Sequence, residues 1–177
     1  IKYTFALGAL GKDMIYGMIA TFSMIYFTDI IKVNPVFIGV MFFVAKLWDA
    51  FNDLFMGMIV DNTRSRWGKF IPWLVIGTLV NSIVFVVLFT DFHLDGVGLC
   101  VFATAAYILW GMTYTIMDIP YWSMIPAFTE GGKERENMST MARSCAGVGS
   151  AFVTIITMQC VYMLGKGNEY AGFKWFA

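Results

Sequence analysis

The sequence predicts an all-α transmembrane protein: one helical bundle with about five complete helices and a sixth begun at the end of the chain. Two observations carry this. Of the 177 residues, 59% are hydrophobic and 14% charged, with a mean hydropathy of +0.70. Soluble domains run to about 45–50% apolar and about 25% charged. The apolar residues also gather in runs of about 20 or more, long enough to span a hydrocarbon core about 30 Å thick.

In chain order, helix 1 is expected from Phe5 to Thr28 and a turn from Asp29 to Asn34. Pro35 then opens helix 2, a position where proline is tolerated, and that helix runs to Val60. A polar, basic loop follows, Asp61-Asn62-Thr63-Arg64-Ser65-Arg66-Trp67-Gly68-Lys69. Helix 3 spans Phe70 to Thr90, and the loop Asp91 to Gly98 carries no Lys or Arg. Helix 4 runs from Leu99 to Phe128, where Pro120 and Pro126 predict a kink or a broken last turn. After a charged loop, Glu130 to Asn137, helix 5 spans Ser139 to Leu164. A Lys166–Ala171 loop precedes the sixth helix at Phe173-Lys174-Trp175-Phe176-Ala177. The chain opens on Ile1, so it is expected to be a piece of a longer protein. The first apolar run is too long for a signal peptide. No linker divides the chain, and one domain is expected.

Lys2, Arg64, Arg66, Lys69, Lys133 and Arg135 fall on one side, and Lys32, Lys166 and Lys174 on the other. This bias predicts a cytoplasmic N-terminus. Zero net charge gives no electrostatic case for nucleic acid. Cys100, Cys145 and Cys160 sit apart in apolar surroundings and read as packing residues, not as a disulfide or metal framework. His93, in a short polar turn, reads as solvated.

The chemistry gathers in helix 2. Asp49, Asn52 and Asp53 are spaced i, i+3, i+4 and share one face. Charges within a membrane span are costly and functional by default. Counted inward from the helix ends at 1.5 Å per residue, Asp13, Asp49, Asp53 and Asp118 reach a common depth of roughly 10–16 Å. Helix 4 carries Gly111, Thr115, Asp118 and Trp122 on one stripe. A hard monovalent cation takes oxygen ligands, which Asp49, Asn52, Asp53 and Thr115 offer. Buried carboxylates also hold protons, so H⁺ is a second choice; the amide of Asn52, which cannot titrate, favours Na⁺ or Li⁺. Asp13 and Asp118 suit the vicinal hydroxyls of a sugar, Trp122 or Tyr16 its apolar ring face, and Lys12 and Arg143 its oxygens. A structural account stands beside this one. Lys46 pairs with Asp49, or Lys12 with a carboxylate; Thr115 bonds its own backbone; the aromatics pack.

Four segments carry a resemblance: Gly8-Ala9-Leu10-Gly11-Lys12-Asp13, Trp48-Asp49-Ala50-Phe51-Asn52-Asp53, Thr63-Arg64-Ser65-Arg66-Trp67-Gly68-Lys69-Phe70, and Tyr107 to Pro120 with Gly111, Tyr114, Thr115 and Asp118. Together they resemble the glycoside–pentoside–hexuronide cation symporters, most of all the melibiose-transporting branch. The likeness runs from Tyr3 to Ala177. It implies a major facilitator fold, with two six-helix bundles rocking about a central site, this chain being most of the N-terminal bundle and a C-terminal bundle its partner. It implies symport of a sugar, melibiose-like galactosides foremost, with Na⁺, Li⁺ or H⁺ across the bacterial cytoplasmic membrane, without an enzymatic activity or a resident cofactor. Asp49, Asn52, Asp53 and Thr115 match the cation site. Lys12, Asp13, Tyr114, Asp118, Trp122 and Arg143 match sugar-site positions. Gly57, Asp61, Arg64, Arg66, Gly68 and Lys69 resemble a cytoplasmic gating loop. Lys46 departs from the relatives' arginine. A proton-only sugar or glucuronide symporter and a non-transporting membrane sensor are the competing accounts. An intramembrane aspartyl protease is disfavoured, since its Tyr-Asp and Gly-x-Gly-Asp pattern does not occur.

Overall fold

The structure, a computed structural model, describes residues 2–90, 96–166 and 169–176. His93 and most of the Asp91–Gly98 loop lie outside them, as does part of the Lys166–Ala171 connection. The described elements are helical: α1 (Lys2–Ile25), a π-helical turn (Tyr26–Ile30), α2 (Pro35–Asn62), α3 (Ile71–Leu88), α4 (Val97–Phe128), α5 (Lys133–Gly165) and α6 (Glu169–Phe176).

Local chemistry explains the helix ends. Before Pro35, the Asn34 side chain accepts the Val36 N–H at 2.9 Å and caps α2. At the other end, Asn62 donates to the Met58 carbonyl at 2.9 Å and Thr63 to that of Ile59 at 2.7 Å. The Thr63 hydroxyl serves the Ile59 carbonyl, one of the last four that the helix leaves open, and α2 extends past the expected Val60.

Three other expectations are corrected. Helix 5 begins at Lys133 instead of Ser139, so most of the charged Glu130–Asn137 segment is helical; Glu134 and Glu136 lie in its first turn, where the helix dipole favours acids. Helix 1 passes through Asp29 in its π-helical turn before Lys32 takes a φ of 61°. The last turn of α4 is unbroken, Pro120 and Pro126 both lying inside one 32-residue helix. Membrane helices tolerate such prolines where neighbouring groups re-satisfy the freed carbonyls.

α2, α3, α4 and α5 are each long and apolar enough to cross a membrane. α1 has the length, 24 residues, but Lys12, Asp13 and its small polar residues dilute it. On α2, Phe43, Leu54 and Phe55 are 60–68% exposed. Such a stripe is unusual on a water-facing surface; with four spans of this length and apolarity, the chain is a multi-pass membrane protein.

The helices form two compact units, the first made of residues up to Lys32 with Ile125–Phe176 and the second of Val33–Met124. In the first, α1 and α5 run parallel. Lys2 Nζ meets Glu134 Oε1 at 2.8 Å, and further along Gly17 faces Ser150. A Cβ on Gly149 would lie 2.7 Å from the Leu10 carbonyl oxygen, so the seam depends on small residues. α6 folds back along α5 and sets Phe173 against Phe22 and Tyr26, with centroids 6.3 and 5.5 Å away.

In the second unit α2 and α4 run parallel, since Asp49 faces Gly111 and Asp53 faces Thr115. α3 is antiparallel to α4: Thr78 meets Met117, and Asn81 meets Trp110. Phe42, Tyr107, Trp110 and Tyr114 stack in sequence at 4.7, 5.8 and 5.6 Å. Within each unit these directions are those of successive spans that cross in alternating sense.

Candidate cation and sugar site

The second unit brings three of the expected cation ligands together, Asp49, Asp53 and Thr115. α2 presents Asp49, Asn52 and Asp53 on one side, and Gly111 and Thr115 of α4 meet the two carboxylates. The Thr115 hydroxyl, 5% exposed as a residue, donates to Asp53 Oδ1 at 3.0 Å. A hydroxyl has one proton to give. Thr115 therefore spends it across helices, and the bond to its own backbone is not made.

Asp49 lies one turn earlier, against Gly111. A Cβ built there would lie 2.7 Å from Asp49 Oδ1, so only glycine allows the carboxylate this close to α4. Asp49 Oδ2 is 3.2 Å from Lys46 Nζ. The pairing weighed for Lys46 thus exists, and it offsets one of the two negative charges. Asn52 Nδ2 is buried without a hydrogen-bond partner among the described residues. Rotation of the amide by half a turn puts its oxygen at that point. The donor set is then carboxylate, amide and hydroxyl oxygen, chemistry suited to a hard cation. It is light in charge: among the described residues no group of three or more His, Cys, Asp or Glu is arranged to hold a metal.

The sugar-site residues divide between the units. In the second, Trp122 Nε1 donates to Asp118 Oδ1 at 3.0 Å one turn back on α4. This bond orients the carboxylate along α4. Tyr114 stacks on Trp110 with ring planes 29° apart. In the first unit, Lys12 Nζ is 3.0 Å from Asp13 Oδ1, with the lysine side chain only 4% exposed. The structural pairing weighed for Lys12 is therefore also present. Arg143 lies farther toward the start of α5, on the wall of an open depression of about 610 Å³ shared with Lys133, Arg135 and Glu136.

In the loop after α2, Lys69 Nζ meets Asp61 Oδ1 at 3.1 Å and sits 4.9 Å from the centroid of the Phe70 ring. Gly68 turns the chain at a φ of +86°. Arg64 and Arg66 are exposed, and Gly57 lies on α2 about one turn past Asp53, with open space where a Cβ would go. Trp73 fastens the loop by donating to Thr63 Oγ1 at 2.8 Å. Sequence reasoning gave Trp73 no part in the loop. It put Gly111 on the correct stripe without a role, because what that glycine contributes is the absence of a side chain.

Residues 4–177 match the family described as MFS/sugar transport protein. The chain is 32% identical over 173 residues to the inner membrane symporter YicJ of Escherichia coli, covering 98% of this chain and 38% of the relative. It is 33% identical over 190 residues to the lactose permease of Leuconostoc lactis, covering 98% and 30%. It is 26% identical over 175 residues to the isoprimeverose transporter of Lactiplantibacillus pentosus, covering 99% and 36%. The chain thus spans 30–38% of the length of these relatives. A family match over nearly every residue, on a helical bundle with carboxylates held inside its spans, identifies the chain as a member of the major facilitator superfamily, in the glycoside–pentoside–hexuronide cation symporter family.

Proposed function

We propose that the protein to which this chain belongs couples uptake of a glycoside to a monovalent cation, Na⁺ or Li⁺, by alternating access. In this proposal the chain supplies most of the N-terminal bundle, a C-terminal bundle of the same polypeptide supplies the rest, and the N-terminus faces the cytoplasm of a bacterial cell. The observation that carries the proposal is the Thr115–Asp53 hydrogen bond, which joins α2 and α4 where their oxygen donors meet. The relatives' names support the cargo: a symporter, a lactose permease and an isoprimeverose transporter. Lactose is a galactoside, in keeping with a melibiose-like substrate.

Asp49, Asn52, Asp53 and Thr115 hold the cation in this mechanism. Its charge offsets that of the carboxylates and draws α2 and α4 into one arrangement. Sugar affinity rises as a result, and linkage requires that the sugar raise cation affinity by the same factor. Asp13 and Asp118 accept sugar hydroxyls, Tyr114 and Trp122 offer aromatic faces, and Lys12 and Arg143 donate to sugar oxygens. The loop of Gly57, Asp61, Arg64, Arg66, Gly68 and Lys69 steadies one access state through pairs such as Asp61–Lys69.

The test is equilibrium binding of a galactoside to the full-length protein in Na⁺, in Li⁺ or in neither. Na⁺ should tighten sugar binding, Asp53→Cys should remove that response, and Asp118→Asn should strongly weaken the sugar. Sugar affinity that follows pH and ignores both metal ions assigns the coupling to protons, and sugar binding without flux assigns the protein to sensing.

A further inference from the structure

α3 is the most apolar of the candidate spans, with a hydropathy of 2.3, yet it carries an amide that faces neither lipid nor water. Asn81 is 1% exposed. Its Nδ2 donates to Thr113 Oγ1 at 3.0 Å and to the Trp110 carbonyl at 3.3 Å. The Thr113 hydroxyl donates to the same carbonyl at 3.0 Å. The three groups close a buried triangle between α3 and α4.

That triangle stands directly behind the candidate cation site. The carbonyl held by Asn81 belongs to the peptide joining Trp110 to Gly111, and Gly111 is the residue against which Asp49 rests. Thr115 lies one turn farther along. On α4, Trp110, Thr113 and Met117 are spaced i, i+3, i+7 and form the face toward α3; Gly111 and Thr115 belong to the neighbouring face toward α2. Gly77 brings α3 so close that a Cβ there would lie 2.8 Å from the Met117 backbone nitrogen. α4 is thus gripped on one face and presents ligands on the next, so its rotation sets where Thr115 and Gly111 stand.

Stability alone does not account for Asn81. Its Oδ1 is buried without a hydrogen-bond partner among the described residues, a costly state that leucine would avoid. Departures of this kind concentrate where function requires them. We infer that Asn81 is a positioning residue for cation binding: with Thr113 it fixes the rotation of α4 on α3, and through Gly111 and Thr115 it sets the fit of that helix to Asp49 and Asp53. The inference rests on the cation site proposed above.

The experiment is a Na⁺ titration of galactoside binding to the full-length protein carrying Asn81→Ala, Thr113→Val or Thr113→Ser. Asn81→Ala and Thr113→Val should each raise the half-saturating Na⁺ concentration by about tenfold, with sugar affinity at saturating Na⁺ unchanged within about twofold. Thr113→Ser keeps the hydroxyl and should respond as the parent does. The double variant Asn81→Ala/Thr113→Val should be no worse than either single, since both remove one coupled contact. A purely structural contact would weaken cation and sugar together or change only thermal stability, and either result overturns the inference. So does an unchanged Na⁺ titration in Thr113→Val, a near-isosteric change suited to a folded protein. If the unmodified protein shows no metal-ion response, the proposed cation site itself falls, a result distinct from parent-like variants of a responsive protein.

Discussion

Gly111→Ala is the smallest change that reaches the proposed cation site. The new Cβ would stand 2.7 Å from Asp49 Oδ1, and ordinary contact begins at 3.4 Å, so the oxygen must retreat by about 0.7 Å. The other two near atoms, Asp49 Cγ and Oδ2, are already at 3.5 and 3.7 Å. No backbone atom opposes the methyl, so the strain relaxes by rotation of one carboxylate. The fold should therefore survive while the ligand geometry does not. Holding a side chain about 30° from its preferred rotamer costs roughly 0.5–1.5 kcal/mol, which corresponds to about two- to tenfold in cation affinity. The assay is the half-saturating Na⁺ concentration for galactoside binding by full-length protein, read beside the thermal unfolding midpoint. An unchanged Na⁺ titration refutes the role given to Asp49. A large fall in the unfolding midpoint refutes the claim that the carboxylate absorbs the strain.

The remaining predictions follow from neighbouring contacts. Gly77→Ala meets the Met117 nitrogen at 2.8 Å and its Cα at 3.0 Å; backbone cannot step aside, so overpacking of about 1–3 kcal/mol is expected as a lowered unfolding midpoint, measurable by a thermal melt. A parent-like melt would show that α3 and α4 slide apart freely. Lys46→Met removes a tethered ammonium from Asp49. Because the lysine is 57% exposed in its side chain, the pair is worth about 0–1 kcal/mol, and Na⁺ affinity should rise by no more than about fivefold. A fall in Na⁺ affinity, read from the same titration, would mean that Lys46 orients Asp49 instead of competing for it.

The helical architecture was legible because membrane spans announce themselves by length and apolarity, and α2, α3 and α4 ended close to where those runs ended. The start of α5 was not legible. Lys133-Glu134-Arg135-Glu136 looks like a loop when charge is taken as the signal, yet those residues form the polar first turn of a 33-residue helix. The cluster of Asp49, Asn52 and Asp53 was visible because helical spacing alone puts them on one side. The α4 stripe offers Thr115 as a fellow ligand opposite the α2 acids, and the structure adds its 3.0 Å bond to Asp53. Gly111 and Asn81 were beyond sequence reasoning for related reasons: one acts by lacking a side chain, and the other is a single polar residue whose partners lie 29 and 32 positions away.

Charge balance connects the candidate ligands to the choice of ion. Counted as formal charges, Asp49 and Asp53 bring two negative and Lys46 one positive, a formal balance of one negative charge among these three residues of α2. One monovalent ion brings it to zero, whereas a divalent ion overshoots. A proton also balances it, but a proton needs one oxygen only and gives Asn52 and Thr115 nothing to do. Asn52 therefore separates the two couplings. In Asn52→Leu the charge is unchanged and an oxygen ligand is lost, while burial of the leucine removes the cost of an unpartnered amide nitrogen. A proton-coupled carrier should keep its pH-driven sugar uptake in this variant. A Na⁺-coupled carrier should lose Na⁺ stimulation and still bind sugar weakly. Uptake measured in vesicles with a proton gradient or a Na⁺ gradient imposed in turn distinguishes them, and full Na⁺-driven uptake by Asn52→Leu would remove the amide from the ligand set.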